Sequence, residues 1–177
     1  MSRYGIARSN VAAVATVLAF SAIGTARAAS PDCTKIDAVA AAKVLGVPKA
    51  RDNSPGRHTK QPLDNMDVLG CAYAEASPNP LARTLIYVIY TPIAKDLAGE
   101  YSSLSNPNIP GNPQKFSPGV GSASTGWARA SANGETYDGS IILRTNDYIA
   151  VIKVAGMPNI DAVQKALISA GQIFTKP

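Results

Sequence analysis

The sequence predicts an α+β fold in which two or three helices pack against a single antiparallel sheet of about five strands. Three observations predict it: an amphipathic stripe near the carboxyl terminus, a strand-like run that is apolar on both faces, and short segments separated by turn residues in the last third. Along the chain the expected order is α-β-β-α-β-β-β-α, which is typical of helices packed on an antiparallel sheet. Residues 29–177 are long enough for one such domain.

The first predicted element is a helix that begins at Thr34 and ends at Gly46. A threonine hydroxyl can cap the first turn, apolar residues then recur at helical spacing, and glycine commonly ends a helix. Residues 48–67 have no sustained period, so we predict a long loop there. A short strand over residues 68–76 follows the loop.

The strongest strand prediction covers residues 83–91. Both alternating faces are apolar from Leu85 to Tyr90, which is typical of a central strand covered on both sides. Residues 93–104 predict a second helix. Residues 105–119 contain four prolines and predict a second loop, because proline lacks a backbone donor.

The last third predicts three strands, over residues 120–132, 137–145 and 148–155, followed by a helix from about Asn159. The pair Asn133-Gly134 predicts a type I′ hairpin, and Asn146-Asp147 predicts the next turn. We expect the final helix to pack its apolar stripe on the face of the last strand. The stripe consists of Ile160, Val163, Leu167, Ile168, Gly171 and Phe174.

The first 28 residues predict an export signal. Arg3 and Arg8 precede an apolar run from Val11 to Gly24, and Ala26-Arg27-Ala28 supplies a small-residue cleavage pattern. The run is shorter than the roughly 20 residues of a spanning helix, which argues against the alternative of a retained anchor. We therefore expect a mature chain that begins near Ala29, is secreted or periplasmic, and has no transmembrane anchor.

The charge balance argues against a nucleic-acid partner. The chain has 17 basic and 12 acidic side chains and a formal net charge of +5. Three of the arginines belong to the predicted signal peptide, so the mature chain retains 14 basic side chains against the same 12 acidic ones. That small excess is not the strongly basic surface expected of a protein that binds nucleic acid.

Cys33 and Cys71 are the only cysteines. In an oxidising compartment an even, isolated pair predicts one disulfide. A lipidated Cys33 is an alternative, but Ser30-Pro31-Asp32 is not the small-residue sequence that precedes a lipidation site. A free thiol is the other alternative. The pair lacks the C-x-x-C spacing of a redox site.

Catalytic patterns are weak. The only histidine, His58, lies in the first predicted loop, where Asp52, Asp64 and Asp67 are near in sequence, but no G-x-S-x-G motif holds a serine nucleophile. The three glutamates lie on different predicted elements, and their spacing does not bring a carboxylate pair together. One histidine and two paired cysteines do not supply a zinc ligand set. We expect no cofactor and no catalytic activity.

Two groups of residues are candidates for an interaction site. The first predicted loop is rich in basic residues. The predicted strand over residues 120–132 carries a tryptophan and, two residues later, an arginine. The candidates are Lys49, Arg51, Arg57, His58 and Lys60 in the loop, and Trp127 and Arg129 on the strand. We predict an exported binding or inhibitor-type module that recognises a protein or an anionic envelope component. A small-molecule or lipid binder with a cleft between sheet and helices is the first alternative, and an envelope-polymer hydrolase is the second.

Two segments carry a resemblance to a known family. These are the stretch from Val120-Gly121-Ser122-Ala123 through the hairpins to a helix ending at Phe174, and the early helix joined by cysteines to the strand with Cys71-Ala72-Tyr73. Together they resemble the actinobacterial secreted lipoprotein family of unknown function, whose layout is similar to the extracellular sensor domains of certain bacterial kinases. This chain departs from that family in lacking a lipidation cysteine. The resemblance implies no catalytic residues.

Overall fold

The computed structural model describes residues 33–54, 60–63, 66–79, 81–92, 97–105 and 112–176. These residues form three α-helices, one short 3-10 helix and eight strands. The helices are the 3-10 turn Cys33–Lys35, α1 (Ala38–Leu45), α2 (Leu97–Leu104) and α3 (Ile160–Thr175). The strands are β1 (Ala50–Asp52), β2 (Lys60–Leu63), β3 (Met66–Glu75), β4 (Thr84–Pro92), β5 (Gln114–Phe116), β6 (Ala123–Ala130), β7 (Tyr137–Arg144) and β8 (Ile149–Met157). The predicted α+β class is confirmed, with more strands than the five expected.

All strands belong to one antiparallel sheet. Its order is β1-β3-β4-β8-β7-β6-β5, and β2 pairs with β3 beside β1. The pairing of β4 with β8 joins the first four strands to the last four, and it places Tyr87 opposite Ile152. The predicted strands of the sequence correspond to β3, β4, β6, β7 and β8.

The three additional strands lie in segments that the sequence predicted as loops. β1 and β2 fall within residues 48–67, and β5 falls within residues 105–119. Each has only three or four residues, too few to show an alternating pattern. They form because their backbone groups pair with the edges of β3 and β6. The prediction of two long loops was therefore wrong in part.

The first helix begins later than predicted. Thr34 lies in the 3-10 turn, and the N-cap of α1 is Asp37, whose carboxylate accepts a hydrogen bond from the Ala40 backbone N–H at 2.7 Å. Aspartate is as good a cap as threonine or better, because its oxygen satisfies a free N–H and its charge favours the helix start. Gly46 ends the helix at φ 63°, as predicted.

The core lies between α3 and one face of the sheet. Val163, Leu167 and Phe174 on the helix are buried, and they pack in one cluster with Ile152 and Val154 of β8. The predicted packing of the final helix on the last strand is confirmed. The Phe174 ring also meets the Tyr87 ring edge to face, with centroids 5.0 Å apart, a preferred aromatic arrangement.

The predicted disulfide is present between Cys33 and Cys71, with Cα atoms 5.7 Å apart. It fastens the 3-10 turn to β3, the strand next to the edge formed by β1 and β2. The Tyr73 hydroxyl donates a hydrogen bond to the Cys33 carbonyl at 2.8 Å, so a covalent and a polar link hold the same turn. The start of the described chain is thereby fixed to the core.

The connection between β6 and β7 differs from the predicted hairpin. It spans residues 131–136, with the Ser131 N–H bonded to the Thr136 carbonyl at 2.8 Å. Gly134 has φ 71°, but Asn133 does not have the positive φ that a type I′ turn requires at both central residues. Instead, the Asn133 side chain accepts a hydrogen bond from the Glu135 N–H, which builds a wider turn.

No helix in the described part of the chain is long and apolar enough to cross a membrane. The segment predicted to be a signal peptide, residues 1–28, lies outside the described residues.

Candidate functional site

The sheet face opposite α3 is covered at one end by α2. Leu97, Tyr101 and Leu104 of this helix pack on a small cluster formed by Trp127, Ile142 and Ile149, with Tyr90 and Val151 beside them. The Tyr101 hydroxyl lies 3.2 Å from the Thr125 hydroxyl, and either group can donate. Burial raises the pKa of Tyr90 above its ordinary value of 10.0, because the phenolate would lose its hydration.

The helix covers only part of this face because it is short. Its eight residues extend about 12 Å along the axis, whereas the nine residues of β4 extend about 30 Å. Beyond the helix the strands form a concave groove with a volume of about 330 Å³, which we name the open groove. It is lined by Thr84, Ile86, Trp127, Arg129, Ser140 and Lys153, with Pro113 and Asp138 at its side.

Ile86 is the apolar floor of the open groove. It lies on the central strand β4 and is 42% exposed, whereas its neighbours Leu85 and Tyr87 on the opposite face are fully buried. The sequence predicted that both faces of this strand would be covered. Among the described residues, this prediction was wrong at Ile86, because α2 ends short of it.

Cross-strand pairing aligns the groove residues in one row. Lys115, Trp127, Ser140, Lys153 and Ile86 occupy directly opposite positions on β5, β6, β7, β8 and β4. Residues paired in this way project from the same face, with Cβ atoms about 5 Å apart. The row therefore places an exposed isoleucine next to the exposed ammonium-bearing side chain of Lys153.

Trp127 is 7% exposed, buried between the groove and the cluster under α2. The indole lines one side of the open groove, and it does not project into solvent as an exposed binding residue would. Arg129, two residues along the same face, forms an ion pair with Asp138, with Nη2 and Oδ2 3.1 Å apart and Nε and Oδ2 3.2 Å apart. Asp138 is the only carboxylate among the described residues that line the groove. Its negative charge is paired with the positive charge of Arg129.

One residue of the predicted basic loop reaches the same face. Arg51 lies exposed on β1, opposite Ala74, and Ala74 is in turn opposite Thr84 of the open groove. Lys49 is also exposed, immediately before β1. The structure thus brings Arg51 onto the face that carries Trp127 and Arg129.

The other residues of that loop give less information. Arg57 and His58 lie outside the described residues, and the side chain of Lys60, which opens β2, is outside the description as well. The hypothesis of a catalytic His58 therefore remains a prediction. Within the described ranges, no group of three or more histidine, cysteine, aspartate or glutamate side chains is arranged to hold a metal ion.

Sequence reasoning missed the floor of the groove and the two lysines of the cross-strand row. Ile86 was assigned to a fully covered strand, and neither Lys115 nor Lys153 was a candidate. One signal was available, because Lys153 is the only charged residue in the sequence of β8. The ammonium group of a lysine in an interior strand must reach solvent, and Lys153 reaches it through the open groove.

A second cavity, of about 580 Å³, lies near the end of α3. Its lining includes Lys35, Tyr148 and Lys176. The Tyr148 hydroxyl donates to the Phe174 carbonyl at 2.8 Å and accepts from the Lys35 ammonium at 3.3 Å. Because the Tyr148 hydroxyl and the Lys35 ammonium are already bonded to each other, this cavity is a weaker candidate for a binding site than the open groove.

Comparison with known proteins gives no further assignment: no protein family, no curated protein and no solved structure matches this chain significantly.

Proposed function

We propose that this protein is an exported, non-catalytic binding module that recognises a protein or an envelope component through the open groove. The observation that carries the proposal is the exposure of Ile86 on β4, an interior strand of the sheet, beside Lys153 and in the same groove as Trp127. Central strands are ordinarily the most fully covered part of a sheet. An apolar residue left open at that position supplies surface that a partner can bury.

The composition of the groove supports this function. Burying an isoleucine side chain completely stabilises by about 1.5–3 kcal/mol, so the part of Ile86 that is still exposed is a source of binding free energy. Interfaces typically combine apolar surface with polar groups that stay accessible to solvent. Here Ile86 and Trp127 supply apolar surface at the two sides of the groove, and Ser140 and Lys153 lie between them in the row.

Site-specific crosslinking tests the proposal. We would replace Ile86 by the photoreactive p-benzoylphenylalanine in cells that make the full chain, irradiate them, and identify the adducts by mass spectrometry. We expect an adduct with one dominant partner, because the reactive group would lie at the buried centre of the complex.

Val39 offers a matched control. It is an exposed aliphatic residue, 65% accessible, on α1 rather than in the groove. The same photoreactive group at position 39 should not capture the partner found from position 86. Equal capture from both positions, or no adduct from position 86, would contradict the proposal.

Export is part of this proposal. The disulfide between Cys33 and Cys71 supports it, since such bonds form and persist in oxidising compartments. We expect the exported protein to begin at or near Ala29, because Ala26 and Ala28 match the small residues that signal peptidase accepts. Intact-mass measurement with amino-terminal sequencing checks this, and an exported chain that retains Met1 would contradict it.

The alternatives from the sequence have less support. Along the body of α3 the described residues leave no room for a ligand cleft against the sheet, because Leu167 of the helix is packed against Ile141 and Ile152. The cavity at the end of α3 is the weaker candidate described above. A hydrolase would need an acid and a base, and the open groove offers one carboxylate, Asp138, already paired with Arg129. The resemblance to the secreted lipoprotein family remains a prediction.

A further inference from the structure

We infer that the occupant of the open groove is an acidic protein segment that carries a large apolar side chain between its carboxylates. This inference rests on the proposed function and names the chemistry of the partner. Two independent features of the groove carry it: the sign of the charge around it, and the apolar surface at its floor.

The charge around the groove is positive. Lys153 and Lys115 are exposed in the row that contains Trp127, and Arg51 is exposed on the same face beyond Thr84. The carboxylate of Asp138 does not offset them, because it is bonded to Arg129. An acidic partner is attracted to this surface, whereas a basic partner is repelled.

The apolar floor selects among acidic partners. Ile86 and Lys153 are directly opposite on β4 and β8, so their Cβ atoms lie about 5 Å apart. An aliphatic or aromatic side chain placed on Ile86 therefore brings the carboxylates of its neighbouring residues to the Lys153 ammonium. A protein segment supplies both groups within a few residues.

Other anionic partners satisfy only one of these features. A sulfated or carboxylated polysaccharide meets the lysines but has no aliphatic group for Ile86, which would remain against water. An anionic membrane has a flat surface, whereas Ile86 lies at the floor of a concave groove of about 330 Å³. That volume is at the lower end of the range for drug-sized ligands, which fits one large side chain and its flanking groups.

The test uses the disulfide-bonded mature protein and a set of soluble probes. The main probe is a seven-residue peptide with three glutamates on each side of a central leucine, and binding is followed by backbone and methyl NMR shifts. One control peptide has serine in place of the leucine, and another has lysines in place of the glutamates. Dextran sulfate and phosphatidylglycerol vesicles represent the polysaccharide and the membrane.

We expect the main peptide to shift the resonances of Ile86 and Lys153 in a saturable manner. Both control peptides should bind at least about fivefold more weakly, because each lacks one of the two interactions. Raising the salt concentration from 50 to 300 mM should weaken binding of the main peptide, because the Debye length, about 10 Å at 0.1 M, shortens and exposed charges attract each other less.

Paired variants localise the effect. Lys153→Glu should weaken binding of the peptide about tenfold, whereas Lys165→Glu, an equal change of net charge at an exposed position on α3, should change it less than twofold. Ile86→Ser should weaken it at least fivefold, whereas Val39→Ser should leave it unchanged. Circular dichroism confirms that each variant keeps the fold.

Several outcomes would overturn the inference. Equal weakening by Lys153→Glu and Lys165→Glu would mean that only net charge matters. Equal binding of the leucine and serine peptides would remove the apolar requirement, and tighter binding of dextran sulfate or vesicles would assign the groove to those partners. If no peptide binds but crosslinking from position 86 still captures a partner, the proposed function stands and this inference fails.

Discussion

Replacing Phe174 by alanine is expected to lower the free energy of unfolding by about 3–5 kcal/mol. The ring is 2% exposed and fills the space between α3 and the sheet, with edge contacts to Tyr87 and Tyr148 at centroid distances of 5.0 and 6.4 Å. Removing it leaves a cavity that the neighbouring tyrosines cannot close, because Tyr87 is held in β4 and the Tyr148 hydroxyl is bonded to the Phe174 carbonyl. Urea denaturation with a constant m-value measures the loss.

The control for this substitution lies two residues away. Gln172 is exposed on the same helix, so Gln172→Ala should change stability by less than about 0.5 kcal/mol. The hydrogen bond from the Tyr148 hydroxyl to the backbone carbonyl at position 174 is unaffected by the side chain and remains available in the alanine variant. A loss below about 1.5 kcal/mol for Phe174→Ala would contradict the described packing.

Removing the disulfide should have the next largest effect. The double variant Cys33→Ser/Cys71→Ser is expected to lose about 2–4 kcal/mol, because the bridge closes a loop with a sequence separation of 38 and restricts the unfolded chain. Hydrogen exchange should rise most in residues 50–53, which lie inside that loop and pair with β3. The double variant leaves no unpaired thiol, so its loss of stability reports the missing bridge.

A reductant provides the control for this prediction. Dithiothreitol should lower the stability of the parent protein to that of the double variant and should leave the double variant itself unchanged. Two titratable thiols in the native, unreduced protein would contradict the pairing of Cys33 with Cys71, and so would a double variant as stable as the parent.

Sequence patterns predicted the long elements well, because those elements are selected by burial. Residues 83–91 and the stripe from Ile160 to Phe174 alternate or recur with the period of the structures they form. The disulfide was predictable from the number of cysteines and the expected compartment. In each of these cases one local or compositional feature was sufficient.

The elements that escaped prediction depend on the rest of the fold. β1, β2 and β5 are three or four residues long and exist only because an edge of β3 or β6 is available to them. The exposure of Ile86 depends on where α2 ends over the sheet. The sequence of β4 alone does not predict that position. The open groove is consequently a tertiary feature, even though Trp127 and Arg129 were already candidates.

The sheet order also has a consequence for how the chain folds during synthesis. β4 pairs with β8, placing Tyr87 opposite a residue about 65 positions later in the chain. Until β8 and α3 have emerged from the ribosome, the apolar face of β4 has no cover and one of its edges has no partner. Such distant pairings slow folding and leave strand edges open to aggregation. We therefore expect the sheet to remain incomplete until the final helix is available, whether at the ribosome or after export, with the edge of β4 open to aggregation until then.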